Sequence, residues 1–172
     1  GRGSGPLSAS NTLRGGDTIT DIVGVMTYTW GGNAASPNAY RIRPINALNG
    51  YWNFAPANPR PLAPPSVGGS LTVVGMNLLN YFNTFDGLPD TVDNCNNGVG
   101  GAATDCRGAD TAAEFDRQWP KTISAIVAMD PDVLGVVEIE NDGYDTTSTL
   151  QDIVTKLNNA TSAGKFAFID VD

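Results

Sequence analysis

"LTVVGMNLLNYF", residues 71–82, begins as an apolar strand and then places an amide, Asn77, where the apolar run should continue. A second asparagine, Asn80, follows three residues later. "PDVLGVVEIENDG", residues 131–143, repeats the pattern with a carboxylate, an apolar run broken by Glu138. Between the two lies "RGADTAAEFDRQWPKTISAIVAMD", residues 107–130, where Phe115, Trp119, Ile123, Ile126 and Val127 fall on one helical face. Thr111 and Glu114 have the spacing of a capping box at its start. The order is strand, helix, strand. Such a crossover makes the two strands parallel, so their carboxyl ends share one edge of the sheet. Open α/β sheets place ligands at that edge, and Asn77 and Glu138 converge there.

Three further expectations follow from the same region. "DVLGVVEIE", residues 132–140, is nearly continuous in apolar residues and reads as a strand buried on both faces. Pro120 interrupts the helical pattern and predicts a kink or a restart. Ser148 and Gln151 form a second capping box, opening a helix with Leu150, Ile153, Val154 and Leu157 inward. "KFAFIDVD", residues 165–172, reads as a third strand. The β-α-β-α-β order predicts an α/β domain over residues 70–172.

Upstream, the pattern changes. "DTITDIVGVMTYTW", residues 17–30, alternates apolar and polar and reads as one strand, and "AYRIRPI", residues 39–45, as a second with Tyr40 and Ile42 on one face. "GGNAASPN" between them is turn chemistry. Residues 1–52 therefore read as the end of a small antiparallel β-domain, giving an α+β chain overall. Residues 53–69 are Pro-rich and read as an extended linker.

Composition narrows the partners. The chain has 172 residues, 18 acidic and 10 basic side chains, no histidine and a formal charge of −8. No run of Lys and Arg forms the basic stripe of a simple nucleic-acid binder. A polyanionic substrate would need bound divalent cations to supply positive charge. No apolar run approaches the roughly 20 residues of a membrane span. The chain starts at Gly without a signal peptide and reads as a processed or cut piece. Cys95 and Cys106 lie in one Gly/Asn-rich surface loop, "DNCNNGVGGAATDCRG". They suit either a disulfide closing a short loop, which implies an oxidising compartment, or two free thiols; the flexible loop favours the disulfide. Two sulfurs without histidine make a poor zinc site.

A carboxylate and an amide oxygen are hard ligands, matched to Mg²⁺ or Mn²⁺, with Ca²⁺ as a further candidate. The local alternative is that Asn77 caps a turn and Glu138 is solvated at a strand end. Around them, Asn80, Glu140, Asn141 and Arg107 are candidates for the shell around the metal or for substrate contact. Alternation sends Glu140 to the same face as Glu138, where it supports the metal or caps a loop. Arg117 and Lys121 lie one helical turn apart and meet phosphate or pair with Asp116 or Glu114.

The segments "TVVGMNLLNYF", "RGADTAAEFDRQWPKTISAIVAMDPDVLGVVEIENDG" and "TLQDIVTKLN", in that order, resemble the secreted bacterial nucleases of the endonuclease/exonuclease/phosphatase superfamily. "GDTITDIVGVMTYTW" with "YRIRP" resembles the β-domain that precedes the catalytic domain in these proteins. The resemblance implies the N-terminal part of a two-sheet α/β sandwich, with Asn77 at the catalytic centre and Glu138 on the metal. It implies a divalent-metal-dependent hydrolase of DNA, with RNA as a second substrate, located outside the cell or in a periplasm. The family's His–Asp pair, which activates water, has no counterpart in a chain without histidine. The remainder of a parent polypeptide is therefore an expected partner, and the fragment alone is expected to be inactive. The rivals are a phosphatase or phosphodiesterase on the same fold, and a non-catalytic secreted module binding calcium or a cell-surface partner.

Overall fold

The computed structural model describes residues 5–8, 10–32, 35–45, 54–89 and 91–170. The chain forms two compact units, Gly1–Leu62 and Ala63–Asp172, whose boundary falls inside the Pro-rich stretch. Among the described residues the architecture is mixed, with small separate sheets and two helices.

In the first unit, β1 (Gly24–Thr29) and β2 (Ala39–Pro44) form an antiparallel pair in continuous register from Gly24↔Pro44 to Thr29↔Ala39. β1 is shorter than the alternation over residues 17–30 predicts. Asp21 takes a left-handed φ of 56°, which breaks extended backbone before the strand begins. Thr18 instead bridges to Ala55, and Asp17 Oδ1 accepts from the Ala57 amide at 3.1 Å. Residues 55–58 thus pack onto this unit.

In the second unit, β3 (Val73–Tyr81) and β6 (Val133–Ile139) are parallel, joined through α1 (Ala112–Met129), as the strand–helix–strand reading requires. α2 (Thr149–Ala160) follows. Both N-caps form, Thr111 accepting from the Glu114 amide at 3.2 Å and Ser148 from the Gln151 amide at 3.2 Å, but the second box does not close: Gln151 donates its side chain to Thr155 Oγ1, and the Ser148 amide meets the Asp145 carbonyl. Glu114 completes its box one residue early, accepting from the Asp110 amide at 3.3 Å. α1 runs through Pro120 without a restart. The proline removes only the amide that would meet the Asp116 carbonyl, and Asp116 is exposed, so water can replace that donor.

The core gathers Leu78, Tyr81, Phe115, Ile123, Ile126, Ile153 and Leu157 between the sheet and the helices. Both helices cover the same face. β6 is therefore not buried on both faces: Leu134 and Val136 pack on the core, whereas Val133 and Val137 are at least half exposed. A two-stranded sheet has too few neighbours to sandwich a central strand. Residues 165–170 are also not a third strand. The Phe166 amide donates to Asn158 Oδ1 at 2.8 Å, and its carbonyl accepts from Asn158 Nδ2 at 3.0 Å. Those bonds tie Phe166 to the end of α2 and occupy the groups a ladder would use. Residues 171–172 lie outside the described residues.

Tyr81 links sheet to helix. It is buried, packs edge-on to Phe115 with centroids 5.1 Å apart, and donates its hydroxyl to Asp152 Oδ2 at 2.9 Å. Burial, then the Asp152 charge and hydrogen bond, push its pKa far above the ordinary value of 10.0. The folded phenol keeps its proton where the unfolded one loses it, so stability declines as pH rises past about 10. Tyr81→Phe should cost about 1 kcal/mol at neutral pH and flatten that decline. Urea denaturation between neutral and strongly alkaline pH measures both. Equal declines in the two proteins would place the alkaline sensitivity in another group.

Candidate site at the carboxyl edge of the parallel pair

The β3–β6 ladder is regular from Val73↔Val133 to Asn77↔Val137 and resumes at Tyr81↔Ile139. Three residues of β3 therefore face one residue of β6, Glu138. The mismatch is absorbed by left-handed backbone at Leu79 (φ 54°), Asn80 (φ 57°) and Glu138 (φ 57°). Such conformations cost non-glycine residues about 1–2 kcal/mol each and cluster at functional sites, as bulges do.

Asn77 is exposed, one ladder step from Glu138, and its Oδ1 accepts from the Leu79 amide at 2.7 Å, opening the β3 bulge. This is the turn-capping role weighed from sequence, and it leaves the amide nitrogen toward solvent. Plain alternation would send Glu138 to the helix-covered side with Leu134 and Val136. The left-handed backbone leaves it exposed instead. Asn80 lies half-buried within the β3 bulge.

Glu140 corrects the alternation reading. It does not share the exposed side with Glu138 but is buried. Its Oε2 accepts from the Asn83 and Thr84 amides, both at 3.1 Å, and from Thr149 Oγ1 at 3.0 Å. Glu140 lies on the side that Leu134 and Val136 share, and there it caps the loop after β3; Glu138 is the carboxylate that leaves that side. Asp142 stands beside it, accepting from the Thr149 amide at 2.8 Å and 3.1 Å. Burial raises the Asp142 pKa and the Glu140 charge adds to the rise, while the Thr149 bonds pull it down.

The cysteine loop is more ordered than a surface loop. β4 (Cys95–Asn96) and β5 (Ala103–Thr104) pair antiparallel, and Cys95 and Cys106 form a disulfide with both cysteines buried. The buried Asp86 carboxylate closes the base of the loop, accepting from the Asn94 amide at 2.6 Å and the Cys106 amide at 2.5 Å. Gly108 then passes so close to β3 that a Cβ would lie 2.6 Å from Phe82 Cβ and 3.0 Å from the Asn80 carbonyl. That contact brings the exposed Arg107 beside the bulged strand end. Arg107 and Asn141 line one open groove of about 550 Å³ with Asn96, Asn97, Phe82 and Ile139.

Four sequence candidates thus fall along this edge and its groove: Asn77, Glu138, Asn141 and Arg107. Asn80 shapes the bulge between them, and Glu140 supports it from below. Asp86, Asp142 and Thr149 escaped sequence reading; the Asp-Gly pairs at 86–87 and 142–143 signal turns but not what the carboxylates hold. Arg117 donates to the Ala113 carbonyl at 3.1 Å, and Glu114 engages Gln118. Among the described residues, no group of three or more His, Cys, Asp or Glu gathers to hold a metal, and no helix is long and apolar enough to cross a membrane. Comparison with known proteins finds no family model, no curated protein and no solved structure that matches the chain.

Proposed function

We propose that this chain is part of a secreted, divalent-metal-dependent nuclease of the endonuclease/exonuclease/phosphatase type, hydrolysing phosphodiester bonds of DNA and also RNA. The observation that carries the reading is the left-handed backbone at Glu138, which leaves that carboxylate exposed one ladder step from Asn77, itself on the exposed side of the regular ladder. The donor set fits Mg²⁺ or Mn²⁺, which need only one or two protein carboxylates and keep water and substrate phosphate in their shell. Glu138 would hold the ion, and Asn77 Oδ1 retains a lone pair beyond the one used by Leu79. Two protein oxygens fall well short of the six to eight ligands of a Ca²⁺ cage. When bound, the ion supplies Lewis-acid stabilisation of the phosphate and the leaving oxyanion.

The remaining roles belong to the chain itself. Arg107 and Asn141, beside the bulge in the open groove, bind phosphate and position the strand to be cut. Without histidine, the water-activating base comes from polypeptide beyond these 172 residues. The exposed Val73, Val133 and Val137 side of the sheet, opposite the helices, supports a second layer packing there in the sandwich. The non-catalytic rival draws on the Asn77–Leu79 hydrogen bond, which would occupy that amide for a purely structural end.

Glu138→Gln keeps the shape and one oxygen but removes the charge. Calorimetric Mn²⁺ titration of this chain should show affinity reduced at least about tenfold, against no change for Asp116→Asn on the outer face of α1. In the longer polypeptide, plasmid cleavage should nearly vanish for Glu138→Gln, while the 172-residue chain leaves plasmid intact. Equal Mn²⁺ affinity in native chain and Glu138→Gln places the metal elsewhere. Cleavage of small phosphate esters but not of DNA or RNA would move the assignment to a phosphatase.

A further inference from the structure

The two oxygens of Glu140 stand in unlike surroundings. Oε2 accepts from the Asn83 and Thr84 amides and from the Thr149 hydroxyl. Oε1 faces Cys95 Sγ at 3.6 Å, a sulfur that is bonded to Cys106 Sγ and carries no hydrogen. Glu140 is 7% exposed and Cys95 1%. Among the described residues Oε1 therefore has no donor, although a buried carboxylate oxygen is unfavourable without one.

The sulfur it faces belongs to the tie across the groove loop. Cys95 and Cys106 join the two legs of that loop, and the residues beside them, Asn96 and Arg107, line the open groove with Asn141. Between the legs the Asn97 amide donates to the Ala102 carbonyl at 3.0 Å, and Asp86 holds the Asn94 and Cys106 amides at the base. The disulfide is the covalent link that limits how far these legs part.

We propose that the Cys95–Cys106 bridge is a redox switch on the groove loop, in which Glu140 Oε1 favours the reduced form by accepting the Cys95 S–H. Reduction by an external dithiol breaks the S–S bond. Two electrons and two protons pass to the cysteines, and the reductant leaves as its own disulfide. One proton ends on Cys95 Sγ, where Oε1 already stands within reach of a sulfur donor. The oxidised form leaves that oxygen without a partner; the reduced form supplies one, a charge-assisted bond in a buried site. Glu140 thus offsets part of the loop-closure advantage that holds the bridge shut. Once it opens, the legs carrying Asn96 and Arg107 separate and the groove loses its wall. The switch needs neither metal nor substrate and stands apart from the nuclease reading.

The test equilibrates the 172-residue chain at neutral pH with mixtures of reduced and oxidised dithiothreitol in EDTA, and reads the bridge by thiol alkylation and intact mass. Glu140→Gln removes the charge, and its oxygen takes the place of Oε2 because only that orientation serves the two amides. Cys95 then gains no acceptor on reduction, and the variant bridge should be about tenfold harder to reduce than the native one. A merely structural role for Glu140 moves the equilibrium the other way, because a loosened loop holds its two thiols at lower effective concentration. Asp86→Ala, which loosens the loop base without touching either sulfur, should show that opposite sign and be reduced more readily. Equal or easier reduction of Glu140→Gln overturns the proposal. Cys106→Ser keeps Glu140 and leaves Cys95 as a free thiol. Its S–H stretching band should be broadened and moved to lower frequency by the carboxylate, and a band at the frequency of an unbonded thiol would overturn the proposal too. Hydrogen exchange at the Asn97 amide should quicken at least about tenfold on full reduction of the native chain. Unchanged exchange would make the bridge a static staple and not a switch. With metal removed by EDTA, failure here leaves the Glu138 experiment untouched.

Discussion

Glu140→Ala should destabilise the second unit by about 3–5 kcal/mol, the cost of stripping a buried acceptor from several donors. The Asn83 and Thr84 amides both rely on Glu140 Oε2, and both lie in the loop leaving β3. Thr149 is fully buried at the start of α2; its hydroxyl can still turn to Asp142 Oδ2 at 3.1 Å, so the Thr84 amide is orphaned and the Asn83 amide keeps only its longer bond to Thr149 Oγ1 at 3.4 Å. Glu140→Gln separates charge from hydrogen bonding. Its oxygen can take the place of Oε2, and its NH₂ then faces Cys95 Sγ, 3.6 Å from Oε1 in the native chain and without a proton to donate. Glutamine should therefore cost roughly 1–2 kcal/mol, less than alanine. Urea denaturation gives the totals, and hydrogen exchange at the Asn83 and Thr84 amides reads the mechanism directly. Unchanged protection of both amides in Glu140→Ala would show that the loop is held by other contacts.

The second large effect is expected at the base of the cysteine loop. Asp86→Ala removes the acceptor of two amides, one belonging to a disulfide cysteine, and should cost about 2–4 kcal/mol. The disulfide closes a short loop, with the cysteines 11 positions apart, and its loss through Cys95→Ser with Cys106→Ser should cost about 2–3 kcal/mol. Both devices hold the same segment, so the combined variant should lose less than the sum. Once the bridge is gone the loop frays, and the Asp86 bonds already contribute less. A denaturation cycle over the three variants measures the coupling. Strict additivity would mean that carboxylate and disulfide stabilise separate parts of the loop.

The Glu138 site depends on both devices. Asp86 and the disulfide hold the loop whose tail carries Arg107, and Glu140 holds the loop leaving β3. A metal-binding defect in Glu140→Ala would thus report lost support, whereas one in Glu138→Gln with stability unchanged reports a lost ligand.

Local elements were legible because their causes are local. The two helices and their starts could be read from periodicity and from Thr111 and Ser148, since a cap needs only an amide three residues away. The parallel pairing of β3 and β6 followed from chain connectivity. The disulfide could be expected from a flexible loop joining two thiols. What sequence could not supply depended on neighbours. Period-two alternation assumes an unbroken ladder, so it placed Glu140 beside Glu138; the left-handed backbone at Glu138 turned that carboxylate out to solvent, while Glu140 stayed on the side of Leu134 and Val136 and is buried. Burial of β6 on both faces was inferred from apolar content alone. Content records what a strand can bury, while the number of strands and the side on which helices land decide what it does bury. Residues 165–170 have strand-like composition, but Asn158 captures Phe166 through its backbone, and a ladder needs those same groups. The sequence by itself determined which segments become helix or strand and that Asn77 and Glu138 reach one edge. Only the tertiary structure decided which carboxylates face solvent and which hold loops, because left-handed backbone at a single residue takes its side chain off the face that alternation assigns it.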